Sequence, residues 1–252
     1  MNLKIIIILT NNPYYGSSAS ANRWLTLIEG ISSLNASVHL LLCGGFSSFE
    51  EKTKFGVKGV HGNISYEYVL PILIQGYWKV RFYNYIGQSG RNAQVLIELL
   101  KRYKLENGVI WTDTSFMSFK FAVSFKEHNP HAKLFVEMSE FLDIHHYNNS
   151  NLLQKWQGDA KQLFFEEKAY YSYDGMALMT QTLMKHYQNF PKPHPKLLHL
   201  PMTVNLERFQ SPKEPLPEFQ SPYIVYVGVM NDAKDGVSNL IKAFNSIKEK
   251  RF

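Results

Sequence analysis

The run Gly16-Ser17-Ser18-Ala19-Ser20 follows an isoleucine-rich segment and opens an amphipathic one, an arrangement suited to holding an anion. Glycine lets the backbone approach a ligand, small hydroxyls donate to phosphate oxygens, and free amides at a helix start carry partial positive charge. A plain turn with Ser18 or Ser20 as the helix N-cap accounts for the same residues. Arg23 stands in the first turn of the expected helix, where the dipole disfavours a cation. It is therefore expected either to serve a ligand or to form a surface or interdomain ion pair.

Three further sets of residues end other apolar segments. Asp113, in WTDTS, either faces the same ligand edge or belongs to the N-cap region of the helix after it. Glu137, Ser139 and Glu140, in VEMSEF, lead into a loop that also holds Asp143, His145 and His146. A solvated or structural role accounts for these carboxylates as well as a ligand contact does. The pair His145-His146 is not expected to bind metal, because adjacent side chains on an extended segment point apart and no third ligand lies at helical spacing. His128 and His131 flank Asn129-Pro130 at a helix end, where imidazoles cap carbonyls.

The elements that must position these residues follow from hydrophobic period. Leu3–Thr10 is a near-continuous isoleucine run, the pattern of a strand buried on both faces of a parallel sheet. Further strands are expected at Val38–Cys43, Tyr66–Leu70, Gly108–Thr112, Lys133–Glu137, Gly175–Met179 and Lys196–Leu200. Helices are expected around Trp24–Ile31 and over Trp78–Ile86, Ala93–Tyr103, Ser115–Glu127, Leu152–Ser172 and Thr182–Gln188, with Gly44–Asn63 as a loop. Strand-helix alternation of this kind predicts an α/β fold, a Rossmann-like parallel sheet with helices on both faces. In such sheets ligands bind beyond the carboxyl ends of the strands, which nominates the loops after Thr10, Thr112, Glu137 and Gly228.

Composition narrows the partners. With 27 Lys and Arg against 21 Asp and Glu, the chain carries a formal charge of +6, which favours anionic partners. The basic residues are dispersed, without the arginine-rich block of a nucleic-acid arm, and no nucleic acid is expected. One cysteine, Cys43, excludes an internal disulfide and a cysteine zinc site and points to a reducing compartment; at the end of an apolar run it is expected to be buried and inert. The N-terminal apolar run is too short for a signal peptide, no small-residue cleavage site follows, and no run approaches the roughly 20 residues of a membrane span. The cytoplasm is the compartment expected.

Leu200–Gly236 holds five of the eleven prolines and separates the alternating segments from one further strand (Pro222–Gly228) and helix. Together with two flanking segments it carries a family likeness. Asp174–Tyr187 (DGMALMTQTLMKHY), Leu200–Phe209 (LPMTVNLERF) and Tyr226–Phe244 (YVGVMNDAKDGVSNLIKAF) resemble, in order and spacing, three motifs of the family-4 retaining glycosyltransferases of GT-B architecture. They are similar to the last unit of that family's N-terminal domain, its linker, and the strand, Lys-Gly loop and helix that open its C-terminal domain. Departures are plain: Met202 replaces the linker glycine, Asn205 the usual aspartate, and Val229 an arginine that contacts the donor diphosphate.

The resemblance implies an acceptor-side domain over 1–200, a linker over 201–221 and the start of a nucleotide-sugar-binding domain over 222–252. It implies hexosyl transfer from a nucleotide sugar to a saccharide or lipid-linked saccharide, with the nucleotide sugar as substrate and no cofactor or metal. Lys234, with Gly228 and the loop of Gly16, Ser17 and Ser18 and with Arg23, would hold the donor diphosphate. Glu137 and Glu140 would contact the acceptor or relay a proton, and Asp113, Ser139 and His145 would line the acceptor side. The family's E-x7-E region falls outside these 252 residues, so little or no transfer is expected from them alone. A non-catalytic glycan- or partner-binding module stays open, and saccharide binding without nucleotide binding would favour it. An NAD enzyme is disfavoured, because the loop lacks G-x-G-x-x-G spacing and no acidic residue closes the second strand.

Tyr77–Tyr85 interleaves aromatic and basic residues, as a core helix does and as a surface resting on an anionic membrane also does. The second reading predicts peripheral contact at the inner face of the membrane. Flotation with liposomes should then depend on anionic lipid; equal recovery with neutral vesicles would remove it.

Overall fold

A computed structural model describes residues 3–16, 18–74, 76, 78–79, 91–101, 108–142, 152–191, 195–206 and 236–248. In chain order the elements are β1 (Lys4–Leu9), α1 (Ala19–Ser33), β2 (Ser37–Leu42), α2 (Phe49–Phe55), β3 (Lys58–His61), β4 (Ile64–Tyr68), α3 (Arg91–Leu100), β5 (Val109–Thr112) and α4 (Phe116–His128). Then come β6 (Lys133–Met138), α5 (Leu152–Glu167), a 3-10 turn (Ala169–Ser172), β7 (Gly175–Leu178), α6 (Gln181–Gln188), β8 (Lys196–His199) and α7 (Val237–Lys248). Two compact units are present, residues 1–141 with 163–204, and residues 142–162 with 205–252. Among the described residues no helix is long and apolar enough to cross a membrane.

The first unit holds one eight-stranded sheet in the order β3-β4-β2-β1-β5-β6-β7-β8, parallel except for the β3–β4 pair. This is the α/β, Rossmann-like architecture expected. The strand order reverses between β1 and β5, so the topological switch point lies at their carboxyl ends. β1 is central because its isoleucines have apolar partners on both faces. Ile5, Ile7 and Leu9 join one cluster with Trp24, Leu27 and Ile28 of α1, while Ile6 and Ile8, on the opposite face, are fully buried too. Gly44 allows close packing at the end of β2: its amide donates to the Thr10 carbonyl at 2.7 Å, and a Cβ there would strike that carbonyl.

Gly44–Asn63, expected to be a loop, contains α2 and β3. The signals were present in the sequence. Ser48-Phe49-Glu50-Glu51 is a capping-box spacing, and the Ser48 hydroxyl accepts the Glu51 amide at 3.0 Å. Gly62-Asn63 is a two-residue hairpin connection between His61 and Ile64, with Gly62 at φ 59°. The expected helix Leu152–Ser172 is α5 followed by the 3-10 turn, and β4 begins two residues before the expected Tyr66. Of Tyr77–Tyr85 only Trp78 and Lys79 are described, both helical and exposed; the expected strand Pro222–Gly228 lies outside the described residues.

At the amino ends of β6 and β7, Asp174 gathers three donors. Its Oδ2 accepts from Lys126 Nζ at 2.7 Å and the Leu134 amide at 2.9 Å, and Oδ1 from Lys133 Nζ at 3.3 Å. Burial alone would push this carboxyl up, but the Lys126 bond, the Leu134 amide and the lysine charges outweigh it and hold the pKa below its ordinary value. The stability it contributes is therefore present above the ordinary value of 3.8 and lost as pH falls through the lower folded one. Asp174→Asn should lower the unfolding free energy by about 1–3 kcal/mol near neutral pH. Denaturant midpoints of the two proteins, followed towards about pH 2, should converge; a gap independent of pH would sink this assignment.

Candidate functional site

The carboxyl ends of β1, β5, β6 and β8 bring together Thr10, Asp113, Glu137 and Leu200, residues between 24 and 190 positions apart in sequence. Each arrives there because its strand ends at the edge where the fold places its loops.

Asp113 spans the switch point. Its Oδ2 accepts from the Thr10 amide and hydroxyl, both at 2.8 Å, joining β5 to β1. Its Oδ1 accepts from the Ser115 amide at 3.0 Å and the Ser118 hydroxyl at 2.6 Å, which orders the start of α4. Ser115 is the N-cap of α4, so Asp113 belongs to its cap region, one of the two readings of the sequence. With four protein donors on its two oxygens, Asp113 braces β5 against β1 and the start of α4.

Glu137 and Arg23 form the buried charge pair of this edge. Arg23 is 2% exposed and Glu137 4%. Arg23 Nε donates to Glu137 Oε1 at 2.8 Å, Nη1 to the Pro201 carbonyl at 2.6 Å and Nη2 to the Leu200 carbonyl at 2.7 Å. Arg23 was expected at a ligand or in a surface or interdomain ion pair; its ion pair is instead buried and lies within the first unit. α1 begins at Ala19, so Arg23 lies in the second turn rather than the first, where the helix dipole argues little about it. The pairing leaves Glu137 Oε2 without a hydrogen bond among the described residues. Burial raises the Glu137 pKa; the Arg23 charge and hydrogen bond oppose the rise, and the Asp113 charge adds to it.

The loop after β1 is held from beside and beneath. Asn12, 4% exposed, accepts the Tyr14 amide on Oδ1 at 2.9 Å and donates from Nδ2 to the Tyr68 hydroxyl at 2.8 Å. Tyr68 donates to Glu51 Oε1 at 2.8 Å, and Glu51 Oε2 accepts the Ser47 amide and hydroxyl at 2.7 Å. Burial, with the Glu51 hydrogen bond, pushes the Tyr68 phenol up, so it remains a donor. Burial similarly raises Tyr14 to about 12. Gly16 is exposed and its amide donates to the Asn12 carbonyl at 3.2 Å; Ser18 is the N-cap of α1, accepting Ala21 N at 3.1 Å. Asn12 was not singled out from the sequence, although Asn-Pro is a turn signal and its side chain forms the corresponding Asx turn.

Ser139 is half-buried and Glu140 exposed just beyond β6. Ser17, His145, Gly228 and Lys234 lie outside the described residues, as do Asp143 and His146. Cys43 is buried, and burial pushes its thiol up, in keeping with an inert role.

No family model matches the sequence, and no curated protein matches it. Solved structures do. TcCGT1 in complex with UDP is 11% identical, with a TM-score of 0.52 over 96% of this chain and 55% of that one. A UDP-glucosyltransferase from Polygonum tinctorium, capable of glucosylating indoxyl and solved with 3,4-dichloroaniline, is 10% identical, with a TM-score of 0.50 over 78% of this chain and 52% of that one. The likeness is one of fold, an α/β Rossmann-like sheet with helices packed on it. The chain spans about half the length of both structures.

Asp113→Asn would turn an amide NH2 towards two of the four donors. It should lower the unfolding free energy by about 1–3 kcal/mol and speed hydrogen exchange of the Thr10 amide. An unchanged urea midpoint with unchanged Thr10 exchange would refute the bracing role.

Proposed function

We propose that this chain forms the acceptor-side part of a glycosyltransferase that moves a hexosyl group from a nucleotide sugar to a saccharide or lipid-linked saccharide. The observation that carries the reading is Glu137: a buried carboxylate at the carboxyl end of β6, with one oxygen held by Arg23 and the other without a hydrogen bond among the described residues. The fold likeness to a structure holding UDP supports the nucleotide-sugar donor. The three sequence motifs support family 4 and with it retention of anomeric configuration.

In this reading residues 1–200 receive the acceptor, 201–221 link, and 222–252 open the donor side. The bond from the sugar anomeric carbon to the diphosphate breaks as a bond to an acceptor hydroxyl forms, and the hydroxyl proton leaves for the departing phosphate. Glu137 accepts a hydrogen bond from that hydroxyl through Oε2, orienting it. The Gly16–Ser18 loop offsets the charge developing on the diphosphate, a general route to rate enhancement. Ser139 and Glu140 complete the acceptor side of this unit, and contact with a membrane surface would suit a lipid-linked acceptor.

The protein expressed from its complete reading frame should transfer sugar from at least one member of a nucleotide-sugar panel, with the product anomer matching the donor. Glu137→Gln should lower kcat about 100-fold or more while the far-ultraviolet circular dichroism is kept. Because the Glu137 pKa is raised and the charged form is needed, the acid limb of kcat/KM should lie above the ordinary glutamate value of 4.5 and be absent in the variant. Turnover at the wild-type rate by Glu137→Gln would remove Glu137 from the mechanism, and inversion of the anomer would remove the family-4 assignment.

A further inference from the structure

The guanidinium of Arg23 does more than neutralise Glu137. Its three nitrogens address three acceptors in a fixed plane: a carboxylate oxygen 114 residues away and two consecutive carbonyls 177 and 178 residues away. Those carbonyls belong to Leu200 and Pro201, the first residues after β8. The Leu200 amide still continues the sheet, donating to the Leu178 carbonyl at 2.9 Å. Past Pro201 the chain is no longer a strand, and the first unit ends at Val204. The exit of the chain from the sheet is thus fastened by one side chain of α1.

A planar cation with five donors in a fork suits this task, since a lysine ammonium offers no such set of in-plane directions. The fastening also depends on Glu137. Two carbonyls solvate a guanidinium but bring no net charge, and at 2% exposure water does not replace the carboxylate. Removing one partner of a buried ion pair leaves an uncompensated charge, which drives the remaining partner towards solvent. For Arg23, leaving its site means releasing Leu200 and Pro201.

We infer that Arg23 is a positioning residue that couples the negative charge of Glu137 to the anchoring of Leu200 and Pro201, so that loss of that charge loosens the point at which the chain leaves the sheet. This extends the transferase reading but does not require it. A hydroxyl bound at Glu137 Oε2 would draw on the same carboxylate, which gives acceptor binding a physical route to the exit segment.

Hydrogen exchange resolved to single amides tests the coupling without substrate. Glu137→Gln keeps the shape and an acceptor oxygen and removes only the charge. Exchange of the Leu200 amide, read residue by residue by NMR and protected in the wild type by the Leu178 carbonyl, should rise about 10-fold or more, the scale expected when an anchored segment opens locally, while β1 and β5 keep their protection. Arg23→Lys should fall between wild type and Arg23→Gln. The paired variant Arg23→Met/Glu137→Met removes both charges and guards against loss of folding in the single variants. It too should show fast exchange at Leu200 with a protected core, because the two carbonyls have lost their donor. Wild-type exchange at Leu200 in Glu137→Gln would overturn the coupling, and wild-type exchange in the paired variant would overturn the anchor. A rise shared equally by β1 and β5 would also overturn it, since that marks global destabilisation. These outcomes are read independently of transfer activity, so failure of the transferase reading leaves them intact.

Discussion

A guanidinium withdrawn from water must find its acceptors inside the protein, and that requirement organises the carboxyl edge of this sheet. α1, β6 and the segment after β8 converge on Arg23 to supply them. The convergence is affordable only because all three are delivered to one edge by parallel strands. Parallel pairing from β1 through β8 brings the end of β8 to the same edge as the start of α1, although more than 170 residues lie between them. An arginine on a more exposed helix face would have no such effect.

Around that pair the edge is braced in two directions. Asp113 ties β5 to β1 across the switch point through Thr10, and Asn12, Tyr68 and Glu51 tie the loop after β1 to β4 and α2. Both networks are rich in hydrogen bonds and poor in compensating cations. Glu51 and Asp113 are carboxylates satisfied by hydroxyls and amides, a mode that fixes geometry because every donor has a defined direction. The ends of β1, β4 and β5 are consequently joined by directional bonds. Glu137 differs from the other two in keeping an oxygen without a hydrogen bond among the described residues.

Much of the fold was legible in residue order. The Ile5–Ile8 run announces a strand buried on both faces, and alternating amphipathic segments announce the helices that cover it. Where the reading fell short, local signals were present but outweighed: the charged, glycine-bearing stretch 44–63 looks like loop by composition, yet Ser48-x-x-Glu51 and Gly62-Asn63 specify a helix start and a hairpin. The site was only partly legible. Glu137 and Asp113 stand out because each ends a strand, whereas Asn12, Thr10 and Tyr68 are ordinary residues whose importance comes from what they meet.

Sequence by itself determined the parallel α/β class, the places of most strands and helices, and the short set of residues at the carboxyl ends of the strands. Each of these depends on periodicity, propensity or chain order, which act over a few residues. Tertiary structure alone decided which of those residues brace the strand ends and which is held in an ion pair. Arg23 could have met a phosphate or a carboxylate, and Asp113 a ligand or a helix start. The choice rests on contacts across more than 100 residues, such as Arg23 with Glu137 and Thr10 with Asp113, and no local pattern encodes a distance of that kind.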